Sequence, residues 1–194
     1  MAELLDEASH LESTTVGVFR TAATVKGGRR FSFSSLVVVG DRSGRVGYGY
    51  GKSNEVPAAI EKAQKAAKRN MMDVKLEGRT IPHEIEGRFL ASKVRLLPAS
   101  PGTGVVAGST VRNVLELAGI SDCMTKCYGS TNTINTVKAV FDGLKRLRTP
   151  AEVASLRGVE IGTTEIQERI AKGSRHMQAV PVGADEDTSE GGES

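Results

Sequence analysis

The sequence predicts an α+β protein of two domains, the first a β-sheet with one helix and the second a mixture of strands and helices. Three observations support this fold class. β-Branched runs and a glycine alternation indicate strands between residues 14 and 52. An amphipathic helical pattern follows over residues 54–71. Shorter strand and helix patterns then alternate from residue 80 to residue 152, and we place the domain boundary within residues 72–80.

Length and composition limit the core and the cellular location. With 194 residues, 39% hydrophobic content, 4% aromatic content and no Trp, the chain can bury one or two small, mostly aliphatic cores. The start of the sequence has no basic region followed by an apolar core, and no apolar run approaches membrane-spanning length. We therefore expect a cytoplasmic protein that has no membrane partner.

Charge is distributed unevenly along the chain. The formal net charge is only +3, yet residues 20–70 contain 11 basic and 3 acidic residues, whereas both ends of the chain are acidic. A basic centre of this kind is typical of RNA- or DNA-binding proteins, although a charged surface is often only solvated. Composition alone leaves both interpretations open.

Two strands joined by a basic connection are predicted at the start of the first domain. β-Branched residues mark a first strand at residues 14–25, and an alternation of Phe and Ser followed by Val marks a second at 31–39. Between them we predict a short loop made flexible by two glycines: Lys26, Gly27, Gly28, Arg29 and Arg30. The loop is either a hairpin tip kept soluble by its charge or a finger inserted among phosphates. The neighbouring basic helix favours the finger.

A third strand is predicted at residues 45–52, after a tight turn at 41–44. Side chains alternate between the two faces of a strand, so Val46, Tyr48 and Tyr50 share one face. The other face is bare because it carries only glycines: Gly47, Gly49 and Gly51. Glycine inside a strand costs stability, so we expect another element to pack very closely on this bare face.

The helix after this strand is predicted to begin at Ser53 or Asn54 as its N-cap, with Pro57 in the first turn. Its apolar residues fall on one face: Val56, Ala59, Ile60, Ala63, Ala66, Ala67 and Met71. Its basic residues fall on the opposite face: Lys62, Lys65, Lys68 and Arg69. The apolar face belongs to a core, and the basic face meets either a polyanion or water.

The second domain is predicted to contain three strands and three helices. The strands are placed at residues 80–85, 92–98 and 122–128, and the first helix at 110–118, ended by Gly119. Residues 129–132 cap a second helix with apolar residues at helical spacing, and residues 149–152 have capping-box spacing for a third. We assign residues 1–13 to an N-terminal extension, 14–78 and 79–172 to the two domains, and 173–194 to an acidic disordered tail.

The sequence contains no pattern typical of a catalytic or metal centre. The glycine-rich segment 102–108 has neither Rossmann nor P-loop spacing, so a tight loop at an interface is favoured over a phosphate cradle. Cys123 and Cys127 lie about 13 Å apart in a predicted strand, too far for a disulfide, and are expected to be buried free thiols. The three histidines are scattered. We therefore expect no catalytic residue, no metal site and no cofactor.

Five sequence motifs occur in a fixed order along the chain. They are Lys-Gly-Gly-Arg-Arg-Phe-Ser-Phe (26–33), Val-Val-Gly-Asp-x-x-Gly-x-Val-Gly-Tyr-Gly-Tyr-Gly-Lys (38–52), Glu-Val-Pro-Ala-Ala-Ile (55–60), Pro-Gly-Thr-Gly-Val-Val-Ala-Gly (101–108) and Tyr-Gly-Ser-Thr-Asn (128–132). Together they resemble the bacterial small-ribosomal-subunit protein S-five family. The resemblance implies an N-terminal domain similar to double-stranded-RNA-binding domains. It also implies a C-terminal α+β domain that contains a βαβ arrangement of unusual hand.

The resemblance also implies a role without catalysis. A member of this family is a structural constituent of the small ribosomal subunit that binds 16S rRNA, supports subunit assembly and contributes to translational accuracy. It lies beside ribosomal proteins S-four and S-eight and has no small-molecule substrate. With the basic surface, this assigns RNA binding to Arg20, Lys26, Gly27, Gly28, Arg29, Arg30, Arg45, Lys52, Lys62, Lys65, Lys68, Arg69, Ser130, Thr131 and Asn132. A protein interface near S-four is assigned to Gly102, Thr103, Gly104 and Arg112.

Two alternative functions fit parts of the same sequence. A free regulatory RNA-binding protein would use the same basic surface. A small-molecule kinase or another phosphate-loop enzyme would use segment 102–108 and a related fold. A nucleotide-binding titration separates the enzyme from the ribosomal protein, because the ribosomal function predicts no specific site for ATP.

Overall fold

A computed structural model describes residues 11–159 and 162–179. In this part of the chain there are two four-stranded sheets and five helices, in agreement with the predicted α+β class of two domains. The strands are β1 Glu12–Val25, β2 Gly28–Gly40, β3 Arg45–Ser53, β4 Met71–Asp73, β5 Ile85–Phe89, β6 Ser92–Pro98, β7 Val105–Val106 and β8 Cys123–Gly129. The helices are α1 Val56–Arg69, α2 Ser109–Leu117, α3 Thr133–Lys145, α4 Pro150–Arg157 and α5 Glu165–Ala179.

The first sheet is antiparallel, with its strands in the order β1-β2-β3-β4. The short strand β4 was not predicted, because Met71 was assigned to the apolar face of the preceding helix. Helix α1 instead ends at Arg69, with Asn70 as its C-cap. Met71 then pairs with Gly47 at the edge of the sheet.

Helix α1 packs on the glycine face of β3, as the glycine alternation predicted. A Cβ atom on the strand glycines would overlap helix carbonyl oxygens in three successive pairs: Gly47 with Ala67, Gly49 with Ala63, and Gly51 with Ala59. Two residues along a strand advance by about 6.7 Å and four along a helix by about 6 Å, so the two repeats stay in step. Glycine on one side and alanine on the other thus permit this close approach.

Helix α1 begins later than predicted. Its N-cap is Glu55, which has an extended backbone and makes no side-chain capping hydrogen bond. Ser53 and Asn54 therefore do not cap the helix. The reason is that Ser53 still pairs with Phe33 as the last residue of β3. Pro57 lies in the first turn, as expected, where its missing N–H leaves no hydrogen bond unmade.

The first sheet is covered on both faces. Leu36, Val37, Val38 and Val39 in β2 are all 0% exposed. Val37 and Val39 pack with alanines of α1, whereas Leu36 and Val38 join the core of the second domain. A continuous apolar run, rather than an alternating one, is typical of a strand buried on both sides.

The two halves of the chain also meet through their backbones. The N–H of Arg42 donates a hydrogen bond to the carbonyl oxygen of Leu117 at 3.0 Å, and that of Gly44 donates to Ala118 at 3.1 Å. The end of α2 therefore docks directly on the turn between β2 and β3.

The second sheet has the order β5-β6-β8-β7, in which only β7 and β8 are parallel. Strands β7 and β8 and the helix α2 between them form a βαβ unit. Strand β7 was not predicted, because only two residues of the glycine-rich segment pair. The predicted caps of α3 and α4 are confirmed: Asn132 accepts from the backbone of Ile134, and Thr149 with Glu152 forms a capping box.

The prediction of a strand at residues 80–85 is wrong. The backbones of Glu77 and Thr80 pair across a tight turn in which Gly78 has a φ of 61°. Pro82 cannot donate a ladder hydrogen bond. The strand therefore begins only at Ile85.

The C-terminal region also differs from the prediction. Helix α5 extends to Ala179, so residues 173–179 are helical and not disordered. The polar composition of this segment concealed a helical pattern with Ile166 and Ile170 four residues apart. Residues 180–194 of the predicted tail, and 1–10 of the predicted extension, lie outside the described residues.

Candidate nucleic-acid interface

Strands β1 and β2 continue beyond the first sheet as a two-stranded ribbon, which comprises residues 20–31. β2 stops pairing with β3 at Phe33, so residues 28–32 of β2 pair with β1 alone. All residues of the ribbon are exposed. From Arg20 to Lys26 one arm advances by six residues, about 20 Å at the usual strand rise, so the tip stands well clear of the body.

The predicted flexible loop at the tip of the ribbon is mostly strand. Only Lys26 and Gly27 form the turn, whereas Gly28, Arg29 and Arg30 belong to β2. The expectation of a five-residue loop is wrong because the ladder of β1 and β2 continues up to Val25 and Gly28. Successive strand residues point to opposite faces, so Arg29 and Arg30 supply a cation to each face of the ribbon.

Two further predicted residues lie at the base of the ribbon. Arg20 pairs with Phe33, and Lys52 pairs with the next residue of β2, Ser34. The guanidinium carbon of Arg20 is 4.3 Å from the centroid of the Phe31 ring, a cation–π contact that orients the arginine. The structure thus brings Arg20 and Lys52 to the same end of the sheet as the ribbon.

Helix α1 presents a second basic surface. Its four predicted cations are all exposed: Lys62, Lys65, Lys68 and Arg69. None of the ion pairs within residues 11–159 and 162–179 involves them. Their charge is therefore not neutralised by carboxylates in that part of the chain, and it can attract a polyanion.

Arg45 is placed apart from the ribbon. It begins β3, at the opposite end of that strand from Ser53. Its Nε atom is 3.5 Å from Oδ1 of Asp73, in an exposed ion pair of the kind that contributes little to stability. A contact between Arg45 and RNA stays a prediction, and it would lie near the C-terminal end of α1.

The predicted contact at residues 130–132 is the cap of α3. Oδ1 of Asn132 accepts a hydrogen bond from the backbone N–H of Ile134 at 3.1 Å, and the N–H of Ser130 donates to Ala91 at 3.0 Å. Thr131 and Asn132 are exposed. Capping alone explains Asn132, so the contact of Ser130, Thr131 and Asn132 with RNA stays a prediction.

The loop predicted as a protein interface is organised by Asp122, a residue that the sequence analysis missed. Oδ1 of Asp122 accepts hydrogen bonds from the N–H groups of Gly102 and Gly104 at 3.0 and 2.9 Å. The Asp122 side chain is 3% exposed, and its Oδ2 lies 3.7 Å from Nε of Arg79. Thr103 is exposed between the two glycines. The available signal was one acidic residue directly before a predicted strand.

Arg112, the other predicted interface residue, is exposed on α2. It lines one open cavity together with Arg42 and Glu116. The structure thus places it on the helix that follows the interface loop, beside the turn between β2 and β3. Its contact with a protein stays a prediction.

The arrangement around Asp122 argues against a phosphate site at segment 102–108. The N–H groups that would cradle a phosphate already donate to the carboxylate, whose negative charge would repel an anion. Throughout the described residues, no group of three or more His, Cys, Asp or Glu could hold a metal ion. No helix of that same part of the chain is both long and apolar enough to cross a membrane.

The two cysteines are free, as predicted. Cys123 is buried, and burial raises the pKa of its thiol to about 12. Cys127 is only half-buried, and burial likewise raises its pKa. A nucleophilic cysteine requires a depressed pKa, so neither thiol is suited to catalysis.

An α+β fold that extends a basic ribbon and a basic helix face into solvent is typical of a nucleic-acid-binding protein. Comparison with known families identifies the particular one. The family model described as ribosomal protein S5, N-terminal domain, matches residues 11–75, and that described as ribosomal protein S5, C-terminal domain, matches residues 87–157. The chain belongs to the ribosomal protein S5 family, as its motifs predicted. It is therefore a ribosomal protein and not an enzyme.

Curated relatives agree over most of the chain. The small ribosomal subunit protein uS5 of Alteromonas mediterranea is 54% identical over 146 residues, which cover 75% of this chain and 88% of the relative. That of Psychromonas ingrahamii is 49% identical over 161 residues, covering 83% and 96%. That of Psychrobacter cryohalolentis is 54% identical over 156 residues, covering 80% and 91%. Family membership makes the chain a small-subunit ribosomal protein, and it agrees with the predicted cytoplasmic location.

Proposed function

We propose that the protein binds 16S rRNA, supports assembly of the small subunit and contributes to translational accuracy. RNA binding would use two surfaces, the ribbon and the basic face of α1. On both surfaces cations would contact phosphates, while the shape of the folded RNA and its 2′-hydroxyl groups would provide selectivity.

The observation that carries this proposal is the exposure of the ribbon on both faces. An isolated two-stranded hairpin is at best marginally stable in water, and the ribbon contributes no side chain to either core. Lys26 at the turn and Arg29 and Arg30 beside it concentrate positive charge at the point farthest from the body. A projection of this kind is suited to enter folded RNA between phosphates of different strands.

The test measures how the affinity for a 16S rRNA transcript depends on salt. The variant Lys26→Gln/Arg29→Gln/Arg30→Gln should bind more weakly. The slope of log K against log salt concentration should fall by about 0.9 for each phosphate contact that is lost. The control variant Lys145→Gln/Arg157→Gln/Lys172→Gln removes the same charge from exposed positions elsewhere and should keep the slope. An unchanged slope in the ribbon variant would contradict the assignment.

We propose that the loop at residues 102–104 and Arg112 contact ribosomal protein S-four, with S-eight as a second neighbour. Support comes from the exposure of Thr103 between Gly102 and Gly104, whose backbone N–H groups both donate to Asp122. A photo-crosslinking amino acid at position 103, incorporated into small subunits, should yield an adduct with S-four. The same amino acid at exposed Leu90 serves as the control. Adducts at position 103 that contain RNA alone would contradict this interface.

A free regulatory RNA-binding protein would carry the same basic surfaces. Sedimentation of tagged protein from a lysate, with a high-salt wash, separates the two functions. A structural ribosomal protein should remain on the small subunit at a stoichiometric level. A protein held only by exposed phosphate contacts should wash off.

A further inference from the structure

The second sheet has one face without a covering element in the described residues, which we call the open face. Helices α2 and α3 cover the other face, where a Cβ on Gly87 would overlap the carbonyl oxygen of Ala139 in α3. Strand residues alternate between faces, so the neighbours of Gly87 point to the open face. The open face comprises Glu86 and Arg88 of β5, Lys93, Arg95 and Leu97 of β6, and Met124, Lys126 and Tyr128 of β8.

Strand register arranges these residues in cross-strand rows. One row contains Arg88, Lys93 and Tyr128, which are direct partners across β5, β6 and β8. The next row contains Glu86, Arg95 and Lys126. Side chains in direct cross-strand pairs lie close enough to act on one ligand. The Tyr128 ring is thus beside Lys93 and two residues from Lys126 on the same strand.

The lysines of the open face remain available for a ligand. Two of the four cations have carboxylate partners: Nε of Arg88 lies 2.5 Å from Glu86, and Nη2 of Arg95 lies 2.9 Å from Glu84. Within residues 11–159 and 162–179, no ion pair involves Lys93 or Lys126. These lysines therefore leave the face positive next to Tyr128, across the ladder at Lys93 and along the strand at Lys126.

Tyr128 is exposed and belongs to neither hydrophobic core. The residue is 49% exposed, as is Met124 two strand positions from Lys126. An exposed aromatic ring beside two lysines is suited to a nucleotide, because a base stacks on the ring while phosphates meet the cations. A flat sheet favours unstacked bases, since the bases of a duplex are stacked and their edges lie in its grooves.

We propose that the open face binds single-stranded RNA, with a base on Tyr128 and phosphates at Lys93 and Lys126. This site is separate from the ribbon and from α1, and it does not rest on the function proposed for them. It would give the second domain an RNA contact of a different kind from those of the first domain and from the one predicted at residues 130–132.

The test uses the full chain and a fluorescent, unstructured oligouridine as the probe. Tyr128→Ala should weaken binding about tenfold, as expected for one lost stacked base. Tyr128→Phe keeps the ring and should bind as the unchanged protein does. Lys93→Gln/Lys126→Gln should lower the slope of log K against log salt concentration by about 1.4, for two lost contacts to a single strand. These exposed positions contribute nothing to either core, and thermal unfolding should confirm that each variant is folded.

A duplex RNA probe separates this site from the ribbon. Tyr128→Ala should leave duplex affinity unchanged, whereas Lys26→Gln/Arg29→Gln/Arg30→Gln should weaken duplex binding and leave the effect of Tyr128→Ala on oligouridine intact. The proposal is overturned if Tyr128→Ala and the lysine pair both leave oligouridine binding unchanged. It is also overturned if either variant weakens the two probes equally. Failure of the ribbon variant alone would count against the proposed function and not against this site.

Discussion

At the scale of the residue, the strictest spatial requirement is the contact between the glycines of β3 and the alanines of α1. The three pairs form because two residues along the strand and four residues along the helix cover similar distances. The sequence pattern predicted that an element packs there, because glycine inside a strand costs stability and often marks a close approach of another backbone. It did not identify Ala59, Ala63 and Ala67 as the direct partners, since that depends on the register between strand and helix.

Gly49→Ala should destabilise the protein by about 1–3 kcal/mol, because the added methyl group would overlap the Ala63 carbonyl oxygen and force the helix outward. Urea unfolding measures this change. Gly27→Ala is the matched control, since a Cβ there meets no atom within 4 Å. It should change the free energy of unfolding by less than about 0.5 kcal/mol. Equal effects of the two substitutions would refute the packing argument.

The buried thiol of Cys123 should make stability depend on pH in the alkaline range. Its folded pKa is about 12 against an ordinary value of 9.0, so above pH 9 only the unfolded chain loses the proton. The contribution of this group to stability is thus complete below pH 9. It is lost as pH rises toward 12, by up to about 1.4 kcal/mol for each pH unit. Cys123→Ala lacks this loss, so its stability deficit relative to the unchanged protein should shrink between pH 8 and pH 10. A constant deficit would contradict the prediction.

At the scale of the element, the strands and helices with strong periodicity were predictable and those defined by partners were not. β6 was predicted with its observed bounds, and α3 and α4 begin at the caps that their sequences specify. β4 and β7 are three and two residues long and exist only because a neighbouring strand pairs with them. The residues of the ribbon were found through their charge, but its paired form depends on a register that charge does not reveal.

The loop at residues 102–104 should loosen when Asp122 is replaced. Asp122→Ala removes the acceptor of two N–H groups, and a hydrogen bond to a charged group contributes about 1.5–3 kcal/mol. Hydrogen exchange of the Gly102 and Gly104 amides should then become at least about tenfold faster. Asp122→Asn keeps one carbonyl acceptor and should have a smaller effect. Unchanged exchange at both glycines in Asp122→Ala would show that the loop is held by other contacts.

At the scale of the whole molecule, the first sheet belongs to two cores at once. One face packs against α1, and the other joins the second domain, where the rings of Tyr48 and Phe141 meet with centroids 4.6 Å apart. The sequence predicted two domains but not this shared layer. The continuous apolar run in β2 was its signal, and we interpreted that run only as a strand.

Gly119→Ala should weaken the connection between the two halves. Gly119 has a φ of 87°, and a Cβ there would overlap the Arg42 carbonyl oxygen at the docked turn. Strain and overlap together should lower stability by about 2–4 kcal/mol. Gly78→Ala is the control, since it has a φ of 61° with no atom in the way and carries backbone strain alone. Hydrogen exchange in rising urea should reveal separate opening of the halves in Gly119→Ala only. A single shared transition in both variants would contradict this coupling.

The ribbon behaves as a lever arm whose fulcrum is the pair of Phe33 and Ser53, where the third strand leaves it. Over an arm of about 20 Å, a tilt of about five degrees at the fulcrum displaces Lys26 by about 2 Å, more than half the length of a hydrogen bond. The position of the tip is thus decided by residues about 20 Å away from it. Substitutions at Phe33 or Ser53 should therefore shift the position of Lys26 without removing any of the charges of the ribbon.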